Sequence, residues 1–205
     1  WLMADALVEM CDHPPMDIKY QLTKAYWLHI QQVGYYIYGD YKNAYRLRKK
    51  IISEMNNYKV PSQLSDICFI SCLSGSKSIE DASYINKLQI VTMMIKECRK
   101  MKQWASNCSV NFKHRYLLMK AELHRVCHQY KSADSYYKAA IRTAIECDQT
   151  MDLAIAYECS AHFYLDTNQT QKGMEAMNHA IRAYQKWGAS AKVEQLQQIK
   201  NTIQK

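Results

Sequence analysis

Residues 157–196, YECSAHFYLDTNQTQKGMEAMNHAIRAYQKWGASAKVEQL, decide the fold. Small residues recur at helical spacing in and just before this stretch, at Ala154, Ala161, Ala176, Ala180 and Ala183. Tyr157, Phe163, Tyr164, Tyr184 and Trp187 fill the gaps. Alanine lets two helix axes approach closely, and a ring one turn away fills the remaining groove. Repeated along a chain, that alternation builds a continuous core from stacked helix pairs. The expected class is all-α: an antiparallel helix-pair solenoid of about nine helices, a scaffold rather than an enzyme.

Composition agrees with that expectation. The 205 residues are 48% apolar and 22% charged, with only 5 Gly and 3 Pro, too few for the many tight turns of a sandwich or barrel. Sixteen tyrosines against 3 phenylalanines suit half-buried positions where the ring packs and the hydroxyl reaches water. A net charge of +8 raises nucleic acid, anionic lipid or an acidic protein as partners. The basic clusters, Arg46–Lys50 and Lys96–Lys102, read as solvated helix faces. Of the eight cysteines most sit inside helical runs beside apolar neighbours, and none forms a CxxC pair. With no signal segment and no apolar run near 18 residues, the reading is reduced thiols in a cytoplasmic protein with no membrane span. The start at Trp1 reads as a piece of something longer.

Along the chain, residues 1–17 form a lead-in ending in Asp12-His13-Pro14-Pro15, which stops any helix before it. Helices are expected over about 20–37, 41–57, a short one from Pro61, 79–103, 110–128, 130–147, 150–167, 170–187 and 189–203. Pro61 suits a first turn, capped by Ser62 or the residue before it. Ser74-Gly75-Ser76-Lys77-Ser78 reads as the clearest loop, with Glu80 and Asp81 leading the next helix. Ala44, Leu47, Ile51, Ile52 and Met55 share one side of the second helix. In the last, Val193, Leu196, Ile199 and Ile203 share a stripe that caps the array and leads into a linker.

The pairs repeat. In a tetratricopeptide-type unit a turn residue is followed five positions on by a small residue, then by others four and seven later. Gly39 with Ala44, Arg48 and Ile51 fits, as do His128 with Ala133, Tyr137 and Ala140, and Asn168 with Gly173, Met177 and Ala180. Ala82 fits least. Ala133 to Gly173 is 40 residues, against roughly 34 in the standard unit, so longer helices are expected.

The segments NFKHRYLLMKAELHRVCHQYKSADSYYKAAIRTA (111–144), AIAYECSAHFYL (154–165) and AIRAYQKWGASAKVEQL (180–196) carry a resemblance. They are similar to the tetratricopeptide-like array of very large signalling proteins. There, a kinase-like domain and a STAND-type predicted ATPase precede the array, and GAF and histidine-kinase modules follow it. The run WGASAKVEQL is the most specific part, and the similarity covers about 110–196, best over the repeats of 110–188, and is faint over 1–109. Cys159 and Asn168 stand where alanine and glycine would be commoner. The resemblance implies an array between an NTPase and a sensor or kinase output. It brings no catalytic residue onto this chain, which has no GxxxxGK[ST] loop or kinase lysine motif.

Chemistry-bearing patterns are sparse. His124 and His128 lie four apart beside Cys127, a spacing able to hold zinc, but no glutamate follows the first histidine and His128 sits at a turn. Cys68 and Cys72 are flanked by Ile67, Phe69, Ile70 and Leu73, which argues for core. Cys159 with His162 lacks an oxyanion loop or third orienting group. No catalytic residue, metal or cofactor is therefore assigned. Tyr35, Tyr36, Tyr38, Tyr41 and Tyr45 straddle a turn and read as packing between the first two helices, with an aromatic binding face as the other reading. From the repeat frame, Gln31, Tyr35, Arg46, Arg48, Lys120, His124 and Tyr157 are the candidate protein- or peptide-binding residues. The expected function is a non-catalytic interaction module whose partner is a protein, a peptide or a flanking domain of its own chain. The alternative is a basic adaptor for nucleic acid or an acidic partner.

Overall fold

A residue in the left-handed backbone conformation ends a helix and lets the chain turn back without a long loop. Gly39, His128, Asp148, Asn168 and Gly188 adopt it, at φ 88, 58, 49, 60 and 91°. The last four recur every 20 residues. The computed structural model describes residues 21–55 and 61–203, and these form nine helices. They are α1 (Gln21–Ile37), α2 (Tyr41–Met55), α3 (Pro61–Ser78), α4 (Tyr84–Asn107), α5 (Ser109–Val126), α6 (Tyr130–Glu146), α7 (Thr150–Asp166), α8 (Thr170–Trp187) and α9 (Ser190–Ile203). The all-α expectation holds. The lead-in with Asp12–Pro15, Cys11 and the residue before Pro61 lie outside the described residues.

Each turn is built alike. The His128 N–H donates to the Arg125 carbonyl at 2.9 Å and the Gln129 N–H to His124 at 2.8 Å. Asp148 and Gln149 do the same to Ile145 and Ala144, and Asn168 and Gln169 to Leu165 and Tyr164. These paired bonds satisfy carbonyls that a helix end leaves open. The second residue then starts the next helix, its carbonyl accepting from Ala133, Leu153 or Gly173. One residue thus ends one helix and begins the next, giving tight antiparallel hairpins with 40 residues per pair, the spacing expected from Ala133 and Gly173.

The described helices fall into two compact units, the first ending at Glu97 within α4 and the second running from Cys98. In the first, Ala25, Ile51 and Ile67 are fully buried, with Leu28, Leu47 and Leu64 packed against them. The buried Gln32 amide joins three helices: its Nε2 donates to the Ala44 carbonyl at 3.1 Å and to Ser71 Oγ at 3.0 Å. Tyr36 is buried and packs on Tyr41, ring centroids 5.6 Å apart, so part of the tyrosine cluster is core, as expected.

Two expectations fail in this unit. Ser74–Ser78 is not a loop but the last turn of α3, which is 18 residues long rather than short. The serine hydroxyls fold back on the helix: Ser74 donates to the Ile70 carbonyl, Ser76 to Leu73 and Ser78 to Ser74, at 2.7 to 2.8 Å. Gly75 lies where a Cβ would come within 2.9 Å of Met93 and 3.3 Å of Ile90 and Tyr45. The small residues there serve close packing against α2 and α4. Nor do Glu80 and Asp81 lead α4. The helix starts at Tyr84, capped by Ser83, whose Oγ and carbonyl accept from Asn86 and Lys87. Asp81 stays in the turn and pairs with Lys42 at 2.9 Å.

In the second unit Ala154, Ala161, Ala176, Ala180 and Ala183 are all buried, with Phe163, Tyr164 and Tyr184 between them. Of the frame positions, Ala44, Ile51, Ala133, Tyr137, Ala140, Gly173, Met177 and Ala180 are buried. Arg48 is half-buried instead. A buried charge joins successive hairpins. Asp152, third residue of α7, accepts from Arg115 Nε at 2.6 Å and His114 Nε2 at 2.7 Å on α5. Lys192, third residue of α9 and 40 positions on, pairs with Glu158 of α7 at 2.7 Å. Val193 and Leu196 are buried while Ile203 is exposed, so the last stripe caps the unit with its first half only.

Candidate protein-interaction surface

The seven predicted surface residues separate by unit and by helix. Gln31 and Tyr35 lie four apart on α1, both half-buried. On α2, Arg46 is exposed and donates to Asn43 at 3.4 Å. Arg48 is tied to the buried Glu97 at 2.5 Å, and Cys68 Sγ donates to the other oxygen of that carboxylate at 2.8 Å. Cys68 and Cys72 are both buried, as the flanking residues indicated.

The second unit does bring predicted residues together. Lys120 and His124 lie one turn apart on α5, facing Tyr136 of α6. The His124 ring stacks on Tyr136 at 5.0 Å and 11°, and Lys120 Nζ sits 5.6 Å above the same ring. His124 Nδ1 donates to the Gln129 side chain in the turn, fixing the imidazole plane. Beside this stack lies an open groove of about 470 Å³, lined by Leu117, Lys131, Ser132, Ser135, Tyr136 and Ala139. Tyr157 of α7 makes a second stack, with His179 of α8, at 4.9 Å and 17°. Partial burial raises its phenol pKa above the ordinary tyrosine value.

Tyr136 and His179 were missed from sequence. Each stands one residue before a buried frame position, Tyr137 and Ala180. That offset turns a side chain from the core to the rim of its hairpin. The offset was legible, but the partner across the hairpin was not.

The titratable groups that are fully buried hold the helices together. Glu122 accepts from Tyr137 and from Arg125 at 2.8 Å. Glu158 accepts from Tyr184 at 2.6 Å. Burial pushes the Glu158 carboxyl upward, but Lys192 and His162 outweigh it and hold the pKa at about 2. For Asp152, burial is likewise outweighed by His114 and Arg115, leaving its pKa below the usual range. Burial and Glu122 push the Tyr137 hydroxyl well above its ordinary value. His124 and His128 do not converge: His128 Nδ1 hydrogen-bonds the Tyr130 hydroxyl at 2.9 Å. His162 lies 3.8 Å from the Glu158 carboxylate. Among the described residues no three His, Cys, Asp or Glu side chains gather as a metal site, and no helix is long and apolar enough to cross a membrane. No protein-family profile, curated protein or solved structure matches the chain.

Proposed function

We propose that this chain is a non-catalytic protein-interaction module, a tetratricopeptide-like solenoid whose α5–α6 groove takes a peptide or protein segment. The observation that carries it is the Lys120–His124–Tyr136 stack at the edge of that groove. Rings already locked against each other lose little rotamer freedom on binding, and aromatic and cationic anchors dominate the energetics of protein interfaces. The groove walls are helices whose backbone groups are paired internally, so recognition falls to side chains. On the resemblance of residues 110–196, the module sits in the cytoplasm within a large signal-transduction protein, relaying between an NTPase and a sensor or kinase output. Its partner is then a flanking domain or a separate protein, and small changes in the stacking of the pairs pass on the bound state.

The test is affinity capture from source lysate with the wild-type chain and the Tyr136→Ala variant, washed at low and high salt. A protein retained by wild type at high salt and lost by Tyr136→Ala supports the reading. Nucleic acid recovered at low salt alone would overturn it, because phosphate contacts weaken steeply as salt rises.

A further inference from the structure

Large apolar side chains are exposed together on the first three turns of α4. Ile85 is 67% exposed, Leu88 54% and Ile95 37%, at spacings of three and seven, with Tyr84 76% exposed in the first turn. This stripe runs about 15 Å along the helix. Beside it, between α4 and α2, opens a groove of about 380 Å³ lined by Arg48, Ile85, Leu88, Gln89, Met93 and Lys96, with Thr92 at its edge. Its charges are two cations and no acid. Glu97 engages an Nη of Arg48, while the buried Nε–H of the same guanidinium has no acceptor among the described residues.

We propose that this face is a second docking surface, on the first unit, and that it takes an acidic amphipathic helix from a partner protein. The exposed apolar side chains at i, i+3 and i+10, with Thr92 at i+7, form a three-turn ridge of the kind that packs against a second helix. An extended peptide would gain no backbone hydrogen bonds here, since a helix face offers none. Met93 at the groove floor adapts to differently shaped apolar anchors. Lys96, exposed beside the groove, sets the sign, the Arg48 charge being met by Glu97: a partner helix with Asp or Glu flanking its apolar ridge is attracted, and a basic one is repelled. Unbound phosphate or nucleic acid would leave the isoleucine and leucine side chains in water.

The probe is a labelled synthetic helix of about 16 residues with leucines on one ridge and glutamates flanking it, compared with the same peptide carrying lysines for glutamates. Fluorescence anisotropy with the full chain at about 0.1 M salt is expected to show the glutamate peptide binding about tenfold tighter. Leu88→Asp abolishes that binding, and Lys96→Glu reverses the preference between the two peptides. Both positions are exposed, so circular dichroism and melting temperature serve to confirm folding. Tyr136→Ala leaves the affinity unchanged, which separates this surface from the α5–α6 groove: either fails without the other. Equal binding of the two peptides, or variants without effect, overturns the proposal. Concentration-dependent self-association abolished by Leu88→Asp also overturns it, assigning the face to a second copy of the chain.

Discussion

Asp148 holds a backbone φ of 49°, where an L side chain crowds the following carbonyl, while Gly188 occupies the equivalent turn one pair later at 91° without that cost. Asp148 meets Lys186 only at the surface, at 3.4 Å, an exposed contact worth little. Asp148→Gly is therefore expected to raise stability by about 0.5–1 kcal/mol, and Gly188→Ala to lower it by about 1–2 kcal/mol. Urea unfolding of both variants checks this, and a loss for Asp148→Gly would show that the aspartate side chain matters more than the strain. At this scale the sequence was legible where the turn chemistry is local. Gly39, Asn168 and Gly188 announced themselves, and His128 followed from the repeat frame. Gly75 did not, because glycine among serines signals a loop by composition. Only the proximity of Met93, Ile90 and Tyr45 reveals that it is there to admit a neighbouring helix.

Between elements, the decisive contacts are buried charges. Lys192 is 2% exposed and Glu158 is 6% exposed, so removing the lysine leaves a desolvated carboxylate with His162, 3.8 Å away, as its remaining ionic partner. Lys192→Met is expected to cost about 3–5 kcal/mol at neutral pH. The pH dependence follows from Glu158. Its folded pKa is depressed from 4.5 to about 2, so its contribution is fully present above pH 4.5 and lost as pH falls toward 2. In Lys192→Met the buried carboxyl, left with the more distant His162, takes up a proton more readily. The stability gap between wild type and variant should thus narrow steadily on acidification below pH 4.5, read by denaturant midpoints from pH 7 to 3. A constant gap would mean that the lysine stem, not its charge, joins α9 to α7. No sequence pattern marks this pair, nor the bond from Asp152 to His114. The partners are 34 and 38 residues apart, and only the stacking of one hairpin on the next brings them together. Apart from the end of α3 and the start of α4, the helices were readable because periodicity and turns are local, whereas the bonds across hairpins are set by packing.

At the scale of the whole molecule, each unit presents its own side-chain surface on a frame of internally satisfied helices. In the second unit the repeat frame located Lys120, His124 and Tyr157, and the fold supplied Tyr136 and His179 as the rings they stack on. Half of that surface was legible because helix faces follow from spacing, and the other half depended on which face of the next helix closes the hairpin. In the first unit the sequence pointed to Arg46 and Arg48, yet Arg48 is engaged by Glu97, and the larger exposed feature is the apolar face of α4. That face went unread because Ile85, Leu88 and Ile95 look like core residues until the buried side of α4 is seen to run through Ile90, Met94 and Met101. Hydrogen–deuterium exchange of the full chain, free and saturated with a protein captured from the source, tests the central claim most directly. Slowed exchange across residues 117–139, around the groove and the Tyr136 stack, is the expected result. Saturation that leaves those residues unprotected would contradict the assignment of α5 and α6 as the binding site.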